Sequence, residues 1–263
     1  MKIMVFAYEF KPVTGIPKLL KDVKADVLLL CGDICAISDP IDYAKFVTLI
    51  THYSKKYKQL VYIGGNHEFY ATTKPVKREH CMDAIHKQFK ALMKQIPNYI
   101  YLDCDTVVLN INNKNYMFAG CTLWTKVKPE DQSYVQKCMN DYSTIYVYED
   151  NKIQRFTVDH MQKLHAKHVS FIKRAIKKAE DLKIPMILLT HHKPITDDPK
   201  PNRLTQAYEV DMSKVIKRPV VVAIHGHTHE YYDKIINDVR YVANCRGYPH
   251  QRTSFKDSMY IDI

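Results

Sequence analysis

The sequence predicts an α/β fold in which two sheets pack face to face with helices on their outer sides, an α/β/β/α layering. Three observations support this prediction. Apolar runs of strand length recur along the chain, segments of helical period lie between several of them in the first half, and strands crowd towards the C-terminal end. Since no repeat or low-complexity linker divides the pattern, we expect a single domain over residues 1–263.

The predicted strands are short, mostly apolar runs bounded by polar or turn-forming residues. The run Val27–Cys31, for example, contains no charged or amide side chain, which is typical of a buried strand. In chain order, the predicted strands are Lys2–Phe6, Asp26–Leu30, Leu60–Ile63, Thr106–Ile111, Tyr116–Ala119, Met186–Thr190, Val220–Ile224, Arg240–Ala243 and Met259–Ile263.

Three segments are predicted as helices because their apolar side chains recur at a spacing of three or four residues. In the second segment, for example, Ile85, Phe89 and Leu92 share one helical face. The predicted helices are Ile41–Tyr57, Met82–Lys94 and Val158–Leu182.

The composition is that of an ordinary globular protein, with 46% hydrophobic and 25% charged residues in a chain of 263. It excludes disorder or a fibrous repeat as an overall description. The longest apolar stretches are far shorter than the roughly 18 to 20 residues that span a bilayer, and the N-terminus lacks the cleavage pattern of a signal peptide. We therefore expect a cytoplasmic protein without a membrane partner.

Charge and cysteine content bear on partners and compartment. Lys and Arg number 39 against 28 Asp and Glu, a formal charge of +11 that favours anionic partners. Because no run of five basic residues occurs, nucleic acid is only weakly supported as a partner. The seven cysteines include no C-x-x-C pair, so we expect reduced thiols, with Cys31, Cys121 and Cys245 acting as small apolar residues.

Polar clusters directly follow four of the predicted strands. Because the carboxyl ends of strands form the ligand crevice of α/β folds, we expect these clusters to converge on one site. Asp, Asn and His side chains together suit Mn²⁺, Fe or Zn²⁺. Four of the seven glycines lie in the clusters, where tight turns bring backbone close to a ligand. The clusters are Gly32-Asp33, Gly64-Gly65-Asn66-His67-Glu68, His191-His192 and His225-Gly226-His227-Thr228-His229.

Each cluster alone also has an ordinary explanation. Gly-Asp and Gly-Asn after a strand are common turns, and the pair His191-His192 equally fits a helix cap or a surface position. The three alternating histidines would share one face of an extended strand, but Gly226 favours a turn in which only some of them face inward. The combination is therefore more informative than any single cluster.

In this order, the four clusters resemble the signature motifs of the calcineurin-like metallophosphoesterases. The resemblance continues through Phe118–Trp124, Met139–Tyr142 and Asn244–Tyr248, and the chain is similar over nearly its whole length to a branch of small, single-domain, bacterial-type phosphoesterases. It implies a four-layer sandwich of two mixed sheets flanked by helices. It also implies a two-metal centre that hydrolyses phosphomonoesters or phosphodiesters.

The resemblance assigns the metal ligands motif by motif. Asp33 resembles the carboxylate that bridges both metals. Asn66, His191 and His227 match the remaining ligands of the second metal site. His229 matches one ligand of the first metal site.

The resemblance also suggests catalytic roles. His67 resembles the histidine that contacts the substrate phosphate and protonates the leaving oxygen, which suits a group that titrates near neutrality. Arg246 is a candidate for gripping phosphate oxygens, although an ion pair with a nearby carboxylate explains it equally well. Tyr70 and Trp124 are candidate walls for an organic leaving group, with core packing as the alternative. The segments Lys126–Gln154 and Asp197–Val210 contain no motif that identifies the substrate.

The first strand departs from the family pattern. Family members begin with Asp-x-His, whose two side chains bind the first metal. Aligned by strand position, Tyr8 stands in place of the Asp and Phe10 in place of the His. A phenylalanine cannot coordinate, and a phenol is a poor ligand for a divalent ion. We therefore expect a first site reduced to Asp33 and His229, and one or two ions per chain, with Mn²⁺ favoured over Fe or Zn²⁺.

Two kinds of function follow from this pattern. The first is a metal-dependent hydrolase with weak or single-metal activity on a phosphorylated small molecule or another phosphoester. The alternative is a catalytically silent scaffold that binds a protein partner, as in the retromer-subunit branch of the superfamily; Tyr8, Phe10 and the abundance of tyrosine favour it. Nucleic-acid cleavage, as by the DNA-repair nucleases of this fold, rests on the basic charge alone. The polar groups retained in the pocket favour the hydrolase.

Overall fold

The structure, a computed structural model, describes the backbone of residues 2–6 and residues 24–198, 200–248 and 250–263. Its strands are β1 (Lys2–Phe6), β2 (Val27–Cys31), β3 (Gln59–Ile63), β4 (Tyr99–Tyr101), β5 (Asp105–Ile111), β6 (Lys114–Cys121), β7 (Tyr146–Glu149), β8 (Lys152–Arg155), β9 (Met186–Thr190), β10 (Val220–His225), β11 (Tyr231–Ile236), β12 (Val239–Asn244) and β13 (Tyr260–Asp262). Its α-helices are α1 (Pro40–Ser54), α2 (Met82–Leu92), α3 (Gln132–Cys138), α4 (Asp141–Thr144) and α5 (Val158–Leu182).

Two mixed sheets form the centre of the molecule. The first has five strands in the order β13-β1-β2-β3-β4, in which β1 to β4 run parallel and β13 runs antiparallel to β1. The second has six strands in the order β11-β12-β10-β9-β6-β5, with four parallel central strands and an antiparallel strand at each edge. The strands β7 and β8 form a separate hairpin.

Alternate side chains of the parallel strands enter two different cores. In β2, Val27 and Leu29 join the core that the second sheet shares with α5, whereas Leu28 and Leu30 join the core that includes α1 and α2. Both faces of β2 are therefore covered, which explains why this strand is apolar throughout. The layer order is helices, sheet, sheet, helix, and the predicted α/β/β/α layering is confirmed.

Helix ends follow from local capping chemistry. Asp39 caps α1 by accepting the Ile41 N–H at 2.8 Å, and Pro40 occupies the first turn. Thr157 caps α5 by accepting the His160 N–H, and the helix ends at Lys183 in a left-handed conformation with φ of 53°. The prediction of α5 is confirmed at both ends, while α1 and α2 end earlier than predicted, at Ser54 and Leu92.

Four strands and two short helices were missed by the sequence prediction, namely β4, β7, β8, β11, α3 and α4. The strand β4 has only three residues, too few to show a period. The hairpin β7–β8 is half-buried to exposed and β11 is an edge strand, so neither requires a continuous apolar pattern. Exposure therefore explains why the hairpin and β11 were missed, and short length explains why β4 was missed.

Two expectations concern the chain as a whole. None of the helices in the ranges described above is both long and apolar enough to cross a membrane. All seven cysteines lie within those ranges and are free thiols, as predicted. Burial raises the pKa of the Cys31, Cys121 and Cys245 thiols, which behave as the small apolar residues expected.

Candidate metal centre

Three side chains converge on a ring nitrogen of a fourth, and the four residues follow four different strands. His191 follows β9, and its Nε2 atom lies 3.0 Å from Asn66 Oδ1, 3.1 Å from His227 Nδ1 and 3.2 Å from Asp33 Oδ2. Asp33 follows β2, Asn66 follows β3 and His227 follows β10. All four side chains are buried. We call Asp33, Asn66, His191 and His227 the His191 cluster.

The backbone fixes which nitrogen of His191 faces its neighbours. Its Nδ1 atom lies 2.7 Å from the Cys31 carbonyl oxygen, which can only accept, so Nδ1 carries a proton and donates it. In the neutral ring Nε2 therefore presents a lone pair. In that form it faces two oxygen atoms and the His227 Nδ1 atom, an arrangement that added positive charge, either a proton or a bound cation, satisfies. This donor set fits a divalent metal ion, and the backbone bond at Nδ1 is the usual support of a metal-binding histidine.

Charge coupling within the cluster supports the same conclusion. Burial opposes protonation of His191, but the Asp33 carboxylate outweighs burial and raises the pKa of His191. Burial alone would raise the pKa of Asp33, but the charges of His191 and His67 lower it, so Asp33 is ionised at neutral pH. Burial and the neighbouring His192 and His191 lower the pKa of His227. The cluster thus combines a carboxylate with neutral His227 and attracts positive charge to its centre.

The loop carrying Asp33 is held in a left-handed turn. Gly32 and Asp33 have φ values of 84° and 58°, and the buried Glu68 side chain stabilises this turn. Glu68 accepts the N–H groups of Asp33 at 2.8 Å, Ile34 at 2.5 Å and Gly65 at 2.6 Å. A Cβ atom at Gly65 would lie 2.2 Å from Asp33 Oδ1, so this close approach of the β2 and β3 loops requires glycine. The predicted motif thus contains Glu68, which holds the turn in place, as well as the predicted metal ligands.

His67 lies beside the cluster. Its backbone N–H donates to Asp33 Oδ1 at 3.0 Å, and its ring stacks on Tyr70 with centroids 4.3 Å apart and an interplanar angle of 25°. The His67 side chain is half-buried. Of the two candidate walls, Tyr70 lies at the site, whereas Trp124 is buried in the core against Phe156.

Asp141, which was not among the predicted site residues, lies at the start of α4 and is buried. Its Oδ1 atom accepts hydrogen bonds from Asn66 Nδ2 at 2.8 Å and from the Tyr70 hydroxyl at 2.6 Å. Burial raises the pKa of Asp141, and these two hydrogen bonds oppose that effect. The only sequence signal was its place in Met139–Tyr142, a segment noted for resemblance but given no role.

The remaining predicted residues lie around or outside the cluster. His229 has a φ of 56° and packs its ring edge-on against Tyr248, with centroids 4.8 Å apart. It does not belong to the group of Asp33, His191 and His227, whose ligand atoms lie within 4.8 Å of one another. Arg246 is half-buried after β12, and its carbonyl oxygen accepts the Thr253 hydroxyl at 3.0 Å. Tyr8 and Phe10 lie outside the described residues.

A second polar cluster joins the loop after β4 to the middle of α5. Its members Asp103, Cys104 and His168 also bring three potential ligand atoms within 4.8 Å of one another. His168 Nδ1 accepts the backbone N–H of Trp124 at 3.2 Å. A cavity of about 330 Å³ adjoins Asp103 and His168. We call Asp103, Cys104 and His168 the His168 cluster.

Comparison with known proteins gives one family. The family model described as calcineurin-like phosphoesterase matches residues 12–231. The uncharacterized protein L509 of Acanthamoeba polyphaga mimivirus is 30% identical over 249 residues, which cover 90% of this chain and 83% of that protein.

Two solved structures are also similar. Phosphopantetheinyl hydrolase (PptH) from Mycobacterium tuberculosis has a TM-score of 0.62 at 12% identity, covering 85% of this chain and 79% of that chain. A dimetal phosphatase from Danio rerio has a TM-score of 0.46 at 10% identity, covering 84% of this chain and 72% of that chain. The likeness to PptH shows a shared fold.

Proposed function

The chain belongs to the calcineurin-like phosphoesterase family, as its sequence predicted, and on that premise we propose that it hydrolyses phosphate esters with a divalent ion held in the His191 cluster. One observation carries the proposal: Asn66 Oδ1, His227 Nδ1 and Asp33 Oδ2 all lie within 3.2 Å of His191 Nε2. These buried groups lack a mutual hydrogen-bonding pattern that would satisfy them without added positive charge.

The ion would be held by Asp33, Asn66, His191 and His227 through the converging atoms. Their oxygen and imidazole donors favour Mn²⁺, with Fe or Zn²⁺ as alternatives. Such an ion supplies Lewis acidity towards the phosphoryl group and the attacking water. The Cys31 carbonyl holds the proton of the neutral His191 ring on Nδ1, which would leave Nε2 available to the ion, and Glu68 keeps the Asp33 turn in place.

His67 carries out the proton transfer in this proposal. Its ring holds a proton for the leaving oxygen of the ester, because an imidazole exchanges protons near neutral pH. The Asp33 hydrogen bond to its backbone and the stacked Tyr70 ring fix its position. Arg246, which follows β12, a strand parallel to β10, binds phosphate oxygens of the substrate.

We further propose that only one ion binds tightly. The first family site would retain Asp33 and His229, since Tyr8 and Phe10 replace the Asp-x-His pair. Two protein ligands are fewer than the three that catalytic metal sites generally use. Turnover is therefore slower than a two-ion site would allow, for monoesters and diesters alike.

The test is a titration of the metal-stripped chain with Mn²⁺, followed by hydrolysis of mono- and bis-(nitrophenyl) phosphate. We expect one ion per chain, measurable nitrophenol release, and loss of both on Asn66→Ala or His227→Ala. His52→Ala is the matched control, because His52 lies in the last turn of α1, where the chain returns to the start of β3 at the opposite sheet edge.

Two results would contradict the proposal. Turnover that survives both cluster substitutions would place the chemistry elsewhere. Absence of metal and turnover, together with a co-purifying protein, would instead support the silent scaffold.

A further inference from the structure

The segment from Asp141 to Ile145 packs beside the His191 cluster, although Asp141 lies 75 residues from Asn66 in the sequence. Its backbone is tied to the loop after β3, since Tyr70 and Ile145 form a β-bridge and the Ala71 N–H donates to the Thr144 carbonyl at 2.9 Å. This docking carries Asp141, only 3% exposed, to the far side of Asn66 from His191. Asp141 is thus the one carboxylate that this segment inserts at the site.

Asp141 determines which end of the Asn66 amide faces the cluster. An amide has a donor end and an acceptor end of nearly equal size, and it can flip unless a neighbour distinguishes them. Asp141 Oδ1 already accepts from the Tyr70 hydroxyl at 2.6 Å, so it can offer Asn66 only a further acceptor site. Asn66 Nδ2 must therefore face Asp141, at 2.8 Å, which leaves Oδ1 facing His191.

The same carboxylate also anchors the ring that stacks on His67. The Tyr70 hydroxyl donates to Asp141 at 2.6 Å, and the Tyr70 ring lies 4.3 Å from the His67 ring at an interplanar angle of 25°. The Asn66 amide adds a second contact, donating to the Tyr70 hydroxyl at 3.2 Å. One buried oxygen atom therefore restrains both the amide ligand and the proton-donating histidine.

We propose that Asp141 is a positioning residue that orients the Asn66 oxygen towards the bound ion and, through Tyr70, holds the His67 ring in place. This inference rests on the proposed function, since it requires an ion in the His191 cluster. Partners of this kind, which touch a ligand but not the metal, typically change metal affinity or activity by about 10- to 100-fold.

The first test substitutes Asp141→Asn and measures the affinity for Mn²⁺ alone by calorimetry. The new amide can donate as well as accept, so it no longer distinguishes the two ends of Asn66. We expect Mn²⁺ to bind about 10- to 100-fold more weakly. Glu149→Gln on β7 is the control, because it makes the same charge change on an exposed residue of the neighbouring hairpin, and it should leave Mn²⁺ affinity unchanged.

The second test repeats the substitution in an Asn66→Asp background. A carboxylate ligand has two equivalent oxygens and needs no orienting partner, and Asp141 then becomes a like charge beside it. We expect Asp141→Asn to strengthen Mn²⁺ binding in this background, the opposite of its effect in the native chain. A residue that merely supports the fold would weaken binding in both backgrounds.

The third test is Tyr70→Phe, which retains the ring but removes its anchor on Asp141. We expect kcat for nitrophenyl phosphate to fall about tenfold with little change in KM, and Mn²⁺ affinity to change less than threefold. This variant also keeps the inference testable if Asp141→Asn does not fold, as judged by circular dichroism.

The outcomes separate the two proposals. A native chain that binds no Mn²⁺ overturns both the proposed function and the role of Asp141. A native chain that binds Mn²⁺, with Asp141→Asn binding it equally well or weakening it in both backgrounds, overturns only the positioning role. An unchanged kcat in Tyr70→Phe overturns its extension to His67.

Discussion

The His191 cluster and the His168 cluster each combine a histidine with an aspartate, but the backbone hydrogen bond at Nδ1 of the histidine has the opposite direction in the two clusters. His168 lies on α5 and Asp103 follows β4, and the segment from Thr122 to Trp124 hydrogen-bonds to both histidines. The Thr122 carbonyl accepts the His191 backbone N–H at 3.2 Å, while the Trp124 N–H donates to His168. The two histidines are thus placed by neighbouring stretches of the same loop.

The backbone partner of each ring determines what the ring can bind. His191 Nδ1 donates to a carbonyl, so Nε2 offers a lone pair. His168 Nδ1 accepts an N–H, so the neutral ring carries its proton on Nε2 and has no lone pair left for a metal. Burial lowers the pKa of His168 to about 3, which keeps the ring in this neutral form. Two clusters of similar residue types therefore present different ring nitrogens, because the backbone imposes a different tautomer on each histidine.

The largest difference in Mn²⁺ binding is expected when one carboxylate is removed from each cluster in turn. We expect Asp33→Asn to weaken Mn²⁺ binding by more than about 100-fold, beyond the effect of losing an outer partner, while Asp103→Asn leaves it unchanged. Asparagine tolerates the left-handed φ of 58° at position 33, so the turn should survive. Equal losses in the two variants, measured by calorimetry, would show that the clusters share one site.

The pH dependence of stability reports the protonation state of His168. In the unfolded chain this histidine gains a proton near pH 6.5, whereas in the folded chain it resists protonation down to about pH 3. The unfolded state therefore binds more protons as pH falls from 7 to 5, and the free energy of unfolding decreases by about 2 kcal/mol from this residue.

The variant that tests this effect is His168→Gln, whose side-chain oxygen can still accept the Trp124 N–H. Its loss of stability between pH 7 and pH 5 should be about 2 kcal/mol smaller than that of the native chain, as measured by denaturant unfolding. Identical losses in the two proteins would mean that His168 is protonated in the folded state, and the assigned tautomer would be wrong.

The smallest expected effect concerns Cys104. Burial, with the nearby Asp103, raises the pKa of the Cys104 thiol to about 12, so it is protonated and a poor ligand at neutral pH. We expect Co²⁺ added to the native chain to produce no thiolate charge-transfer band, with a spectrum equal to that of Cys104→Ser. A band that disappears in Cys104→Ser would establish a second metal site.

Much of the fold was predictable because its signals are local. The apolar runs of β2, β9 and β10 are buried on both faces and stand out in sequence, and α5 shows a long helical period with a threonine cap. The hairpin β7–β8 and the edge strand β11 were not predictable in this way, because exposed strands tolerate polar residues on both faces.

Local sequence signals likewise explain which residues of the candidate site were predicted. Asp33, Asn66, His67, His191 and His227 were identified because each follows a strand in a recognisable motif. Asp141 was not, because it lies 75 residues from Asn66 and belongs to a segment without a comparable pattern. Its role depends on the docking of that segment onto the loop after β3, which no local pattern encodes.

Apolar periodicity and strand-end motifs depend on short stretches of chain, so the family, the layered fold and the residues predicted to bind metal could be inferred from the sequence. Which of these groups lie together, and which atoms they present to one another, depends on the tertiary structure. The lone pair of His191, the proton of His168 and the orientation of Asn66 are each set by a hydrogen bond to a residue at least 44 positions away. Such bonds exist only after the sheets have packed, because folding alone brings those donors and acceptors within reach.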